Sequence, residues 1–227
     1  MDAKVSTRSQ GSGKQRLVEA AIRLAADSRS IHAIGLRSLA REAGLNPNTF
    51  YRHFDSIDDL ALTIIQSTVT ELREPLSALR RQAADAAEDK QTRRRPAIGI
   101  PFDIVRGQRV TRETVRLFFD YVERNPSPFL VGARELHGPS PVVRDALRRV
   151  MADFTADMVR DMKELELLPN LDDPALERVS ATTIRMMFHL SVDFIEQPDR
   201  RQTIVAEAED MILTLLAGAV TLSYLPR

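Results

Sequence analysis

An all-α fold is predicted for this chain on three observations. Apolar residues recur at i, i+3, i+4 spacing over long segments, no strand-type alternation of useful length appears, and glycine and proline are scarce. With 9 Gly and 12 Pro in 227 residues, turns are few and regular elements long. At 43% hydrophobic and 28% charged, the chain can bury a sizeable core, which excludes a disordered protein. It contains no Cys, so disulfides, thiolate metal sites and sulfur nucleophiles are all excluded. The polar N-terminus lacks the apolar stretch of a signal peptide, and Met211 to Leu225 is too short and too interrupted for a bilayer span. A soluble, cytoplasmic protein is expected.

The elements follow in order. Ser12 and Gln15 resemble a capping box ahead of Leu17, Ala20, Ala21, Leu24 and Ala25, which predict a helix over 14–27. Leu36, Leu39, Ala40 and Ala43 form a second short stripe that Gly44 ends. Asn46 as cap and Pro47 at the first helical position open a third, short helix over 47–53. Ser56 with Asp59 starts a long helix whose Leu60, Ile64, Ile65, Val69 and Leu72 keep one face apolar to about residue 80. Residues 85–101, with Arg93, Arg94, Arg95, Pro96 and Pro101, read as an exposed connection; the Arg run is a solvated loop or a nucleic-acid contact. Helices are then predicted over 111–124, 128–137, 139–166, 174–196 and 200–222. Two domains are expected, 1–55 and 56–227.

Net charge is zero overall but uneven. Residues 1–55 hold nine Lys/Arg against five acids, a balance of +4, and the remainder carries −4. Such a split suits a polyanion partner at one end.

Residues 36–54, LRSLAREAGLNPNTFYRHF, place a small residue (Ala40), a turn glycine (Gly44) and an inward aromatic (Phe50) where a helix-turn-helix needs them. Stepping about 100° per residue from Phe50 turns Asn48 and Arg52 outward, with Thr49 and Tyr51 on the flanks. Asn and Arg pair bidentately with base edges, while Thr, Tyr and His suit phosphate oxygens. A structural helical hairpin with a polar outer face fits the same geometry.

The string from Leu39 to Phe54, LAREAGLNPNTFYRHF, resembles the signature of the TetR family of bacterial transcription regulators. The resemblance implies an N-terminal three-helix DNA-binding domain, a C-terminal helical ligand-binding and dimerisation domain, and a homodimer on a near-palindromic duplex. It implies that Tyr51 and His53 contact phosphates, that Ser38 and Thr49 position the backbone, and that Arg37, Asn48 and Arg52 read bases. Asn46, the cap, belongs to the same DNA-facing set. Where many members carry Lys three residues past the final Phe, this chain has Ile57. The run Gly44–Leu60, followed by Asn125-Pro126-Ser127-Pro128-Phe129 and Arg134-Glu135-Leu136-His137-Gly138, is similar to the FabR and DesT type, regulators of unsaturated fatty-acid synthesis that respond to long-chain acyl thioesters. The implied effector is an acyl-CoA or acyl carrier protein thioester, with no tightly held cofactor.

Phe118, Phe119, Phe129, Phe154, Met158, Met187 and Phe188 are the candidate ligand contacts, since Met and Phe adapt to a flexible apolar chain. Arg134 either meets a polar head or pairs with Glu135. Ile212, Leu215, Leu216 and Ala219 form the apolar stripe expected at a dimer seam. Asp157 and Asp161, one turn apart, read as solvated acids. The four His show no metal spacing, and no phosphate loop, G-x-S-x-G or H-E-x-x-H is present, so no enzyme constellation is complete. The alternatives are a regulator of efflux or catabolism genes sensing another apolar molecule, a helical adaptor and an enzyme.

Overall fold

The computed structural model describes residues 12–28, 30–88, 104–168 and 170–224, and every regular element among them is helical. Eight α-helices run in the order α1 (Gly13–Asp27), α2 (Leu36–Glu42), α3 (Ile57–Glu88), α4 (Ile104–Arg124), α5 (Pro126–Glu135), α6 (Pro141–Glu164), α7 (Asp173–Glu196) and α8 (Arg201–Ser223). Short 3₁₀ turns lie at Ile31–Ala33, Pro47–Arg52 and Pro198–Arg200. The all-α expectation holds. The predicted connection at 85–101 is shorter at its start, because α3 extends to Glu88, and α4 opens at Ile104 rather than at 111. The Arg93–Arg95 run lies outside the described residues.

The caps act as the sequence requires. Ser12 Oγ accepts from the Gln15 amide, and Asn46 Oδ1 accepts from that of Asn48. Ser56 Oγ accepts from Asp59 N–H at 3.1 Å while Asp59 Oδ2 accepts from Asp55 N–H at 3.1 Å, a reciprocal arrangement that fixes where α3 starts. Gly44 ends α2 with φ +63°, a conformation that strains any L side chain, and its carbonyl accepts from Arg16 Nη2 at 3.0 Å.

Leu17, Leu39, Phe50, Phe54 and Leu60 form the N-terminal core, but that core does not close on itself. Val131 of α5 and Val143 and Leu147 of α6 belong to the same buried cluster. A second cluster joins α3, α4, α6, α7 and α8 around Phe119, Val122, Phe194 and Ile204, with Phe119 and Phe194 at 4.8 Å between ring centroids.

Asp157 and Asp161 correct the reading of solvated acids. Both are buried, and they face α3. Arg80 donates to Asp161 Oδ2 through Nε at 2.8 Å and Nη2 at 2.5 Å, and Ser77 Oγ donates to Oδ1 at 3.1 Å. Arg73 forks onto Asp157, with Nη2 to Oδ1 at 2.9 Å and Nε on Oδ2. Helical spacing placed the acids on one face; it did not say that the face meets arginines two turns apart on α3.

Candidate DNA-binding face and internal cavity

The 3₁₀ turn Pro47–Arg52 is held from behind by Phe50, which is 1% exposed and packs at 5.7 Å between centroids against Phe54. Everything aimed away from that anchor is open to solvent. Asn46, Asn48, Tyr51, Arg52 and, on α2, Arg37 are exposed, while Ser38, Thr49 and His53 are half-buried beside them. Tyr51 is 65% exposed, unusual for so large an aromatic and suited to a phosphate contact. Arg41 Nη2 donates to Ser38 Oγ at 3.3 Å, so that hydroxyl sits within a cationic surface. His53 lies under the start of α1: a Cβ added to Gly13 would stand 2.8 Å from its Nε2. The sequence-predicted residues therefore share one polar, cationic face at the end of the molecule. Ile57 packs against the N-terminal core, which leaves no phosphate contact at that position.

Behind this face an internal cavity of about 190 Å³ runs along α3. Ala61, Ile64, Ile65, Thr68, Val69, Leu72, Leu76 and Arg80 form its α3 wall. The rise from Ala61 to Arg80 corresponds to about 28 Å of helix, so the wall is long. Of the expected ligand contacts, Phe118, Phe129, Phe154, Met158, Met187 and Phe188 line it. Phe188 packs against α5 at Gly132, where an added Cβ would stand in ordinary contact with the ring at 3.4 Å.

Two of the proposed contacts fall elsewhere. Phe119 packs against Phe194 in the α4–α7 core, and Arg134 turns away from the cavity wall toward α1. Its Nη1 donates to the carbonyls of Ala25 at 2.9 Å and Ser28 at 2.8 Å, a cap on the C-terminal end of α1. Glu135 is 2% exposed and its Oε1 accepts from Ile31 N–H at 2.7 Å and Ser30 Oγ at 2.8 Å. These neighbouring side chains turn to different partners instead of each other, because successive helical positions diverge by about 100°. Together they join α5 to the DNA-binding helices. Beside them His32 Nε2 lies 2.6 Å from Asp58 Oδ1. Burial opposes ionisation at Asp58, but hydrogen bonds from Ser140 and His32 outweigh it and hold the carboxyl below its usual range.

The α3 wall, Thr183 and Glu135 were not read as cavity residues from sequence. Their i, i+3, i+4 pattern signals burial, and burial against a void looks the same as burial against a neighbour.

Of the expected seam residues, Ile212 and Leu216 are buried inside the chain, at 5% and 6% exposure, and line the cavity. Leu215 and Ala219 are half-buried and pack on the same core. The exposed side of α8 instead carries Met211, Thr214, Ala217, Gly218 and Leu222. A stripe wide enough to reach both sides misled the assignment of its inner half.

An exposed helix-turn-helix face joined by a buried clamp to a helical domain with an apolar cavity defines a DNA-binding regulator. A family model described as bacterial regulatory proteins, tetR family, matches residues 17–64, and another described as tetracyclin repressor-like, C-terminal domain, matches 108–218. The chain belongs to the TetR family and is a transcriptional regulator, not an enzyme. Solved structures share the fold at low identity. The fatty acid degradation regulator FadR from Bacillus halodurans is 15% identical with a TM-score of 0.65, over 94% of this chain and 98% of that one. FadR from Bacillus subtilis in complex with stearoyl-CoA is 12% identical with a TM-score of 0.59, over 90% and 98%. A transcriptional regulator from Rhodococcus sp. Rha1 is 16% identical with a TM-score of 0.61, over 89% and 95%. Among the described residues no helix is long and apolar enough to cross a membrane, and no group of three or more His, Asp or Glu is placed to hold a metal.

Proposed function

We propose that the protein is a homodimeric repressor of genes of fatty-acid or lipid metabolism, and that a long-chain acyl thioester in its cavity changes its affinity for a near-palindromic operator. The observation that carries this reading is the cavity: long, walled by α3 over about 28 Å of helix and lined mainly by aliphatic, Phe and Met side chains. Such a shape suits a single extended chain better than a compact ring system. The FadR neighbours, one of them holding stearoyl-CoA, support it. Each buried methylene contributes about 0.8 kcal/mol, so affinity rises with chain length until the space is full.

α3 begins beside the DNA-binding helices and forms a full-length wall of the cavity, which makes it the lever between the two sites. The dimer seam is assigned to the exposed side of α8 around Met211, Gly218 and Leu222. A Cβ added to Gly218 meets nothing within 4 Å, so a partner helix can approach closely there. Acyl-CoAs of increasing length, saturated and unsaturated, titrated into the protein–operator complex test the proposal. A length-dependent change in operator affinity is expected. No response to any of them, beside a response to an unrelated apolar drug, would remove the acyl reading and leave the regulator.

A further inference from the structure

We infer that the end of the cavity next to the DNA-binding helices is a polar subsite, in which the buried carboxylate of Glu135 accepts a hydrogen bond from a hydroxyl or amine on the bound molecule. The inference rests on the cavity being the effector site and adds the chemistry of one part of that effector.

Glu135 lines the cavity together with Ile31, which belongs to the DNA-binding part of the chain. Its Oε1 is already occupied by two donors, Ile31 N–H and Ser30 Oγ. Its Oε2 is buried and has no hydrogen-bond partner; the His32 ring nitrogen nearest it stands at 3.7 Å, beyond hydrogen-bond reach. A buried carboxylate oxygen left without a donor is costly, and native structures seldom keep one without a use. A Cβ at Gly138 would lie 2.4 Å from Oε2, so the missing side chain there is what lets the carboxylate adopt this position.

The rest of the wall does not offer the same chemistry. Arg80, the cationic lining residue, is bound to Asp161. Thr183 Oγ1 is buried and without a partner too, but a hydroxyl serves donor-bearing and donor-free ligands alike by switching roles. Glu135 Oε2, as a carboxylate oxygen, selects for donors. An apolar chain carrying a hydroxyl or amine is therefore preferred over the same chain without one. Its occupancy is felt at Ile31 and Ser30, because one carboxylate holds both.

The test uses the full-length protein and two probes of equal heavy-atom number, decan-1-ol and 1-methoxynonane. Both accept a hydrogen bond and only the alcohol donates one. Calorimetric titration is expected to show the alcohol binding at least about ten-fold more tightly, the value of one hydrogen bond to a charged group. In Glu135→Gln the amide oxygen still accepts from Ile31 N–H while its NH₂ replaces Oε2, and the alcohol's advantage is expected to fall below about two-fold.

Equal affinities for the two probes in the unaltered protein, binding of neither, or an advantage that survives Glu135→Gln but disappears in Thr183→Val would overturn the inference. Should the Gln variant fail to fold, a crystal structure of the unaltered protein with decan-1-ol decides the matter: the alcohol oxygen within about 3.2 Å of Oε2 supports it, and any other position overturns it. A donor preference without any acyl-CoA effect on operator binding would refute the acyl reading alone. An acyl-CoA effect without a donor preference would refute only the subsite.

Discussion

Replacing Asp161 by Ala is expected to be among the most destabilising single changes in the chain. Asp161 is completely buried and its partner Arg80 has a side chain only 10% exposed, so the variant strands a largely buried guanidinium between α3 and α6 without its carboxylate. Breaking a buried pair from one side costs about 3–5 kcal/mol, because the remaining charge is uncompensated. For a protein of this size each kcal/mol lowers Tm by about 2–4 °C, which predicts a fall of roughly 6–20 °C. The neighbouring pair provides the contrast. Arg73 is 44% exposed, so after Asp157→Ala its guanidinium turns to solvent and the loss is expected near 1–2 kcal/mol. Removing both partners, Arg80→Met with Asp161→Leu, is expected to return stability to within about 1 kcal/mol of the original, since well-packed apolar residues replace a buried pair at little cost. Urea unfolding at fixed protein concentration measures all four proteins. An Asp161→Ala variant within 1 kcal/mol of the parent, or a double variant as unstable as the single, would refute the reasoning.

Other expected outcomes are as direct. Asn48→Ala and Arg52→Ala should each cost about 1–3 kcal/mol at particular operator positions, whereas Tyr51→Ala should weaken all sequences alike and leave the salt slope unchanged, since a neutral phenol displaces no counterion; gel-shift titrations over operator variants and a salt series separate the two patterns. Met211→Glu with Leu222→Glu should yield monomers by sedimentation, with operator affinity lost along with the linked second half-site; a dimer that survives moves the seam elsewhere. The Arg73 hydrogen bonds, and beside them Arg160, hold the Asp157 carboxyl below its usual range. A carboxyl depressed in the folded state contributes stability above its unfolded value near pH 3.9, and that contribution disappears as pH falls through the folded value. Asp157→Asn should therefore flatten the loss of stability below about pH 4, and urea midpoints between pH 3 and 6 that fall as steeply as the parent's would count against the pair.

Local rules determined much of this molecule. Helix type followed from the apolar period, and helix starts followed from Ser12, Asn46 and Ser56, because a cap needs only residues within one turn. The candidate DNA-binding face was legible for the same reason. Asn48, Tyr51 and Arg52 lie within one short segment anchored by Phe50, so their common direction follows from helical rotation. What tertiary structure alone decided are the relations between segments far apart in the chain. Asp157 and Asp161 became buried clamps because α3 presents Arg73 and Arg80 opposite them. Glu135 became a link to the DNA-binding helices through Ser30 and Ile31, more than a hundred residues away. Ile212 and Leu216 faced inward, since an apolar stripe records that a surface is covered and not by what. The cavity follows the same logic: a void is a property of how several helices fail to meet, and no single helix carries that in its sequence.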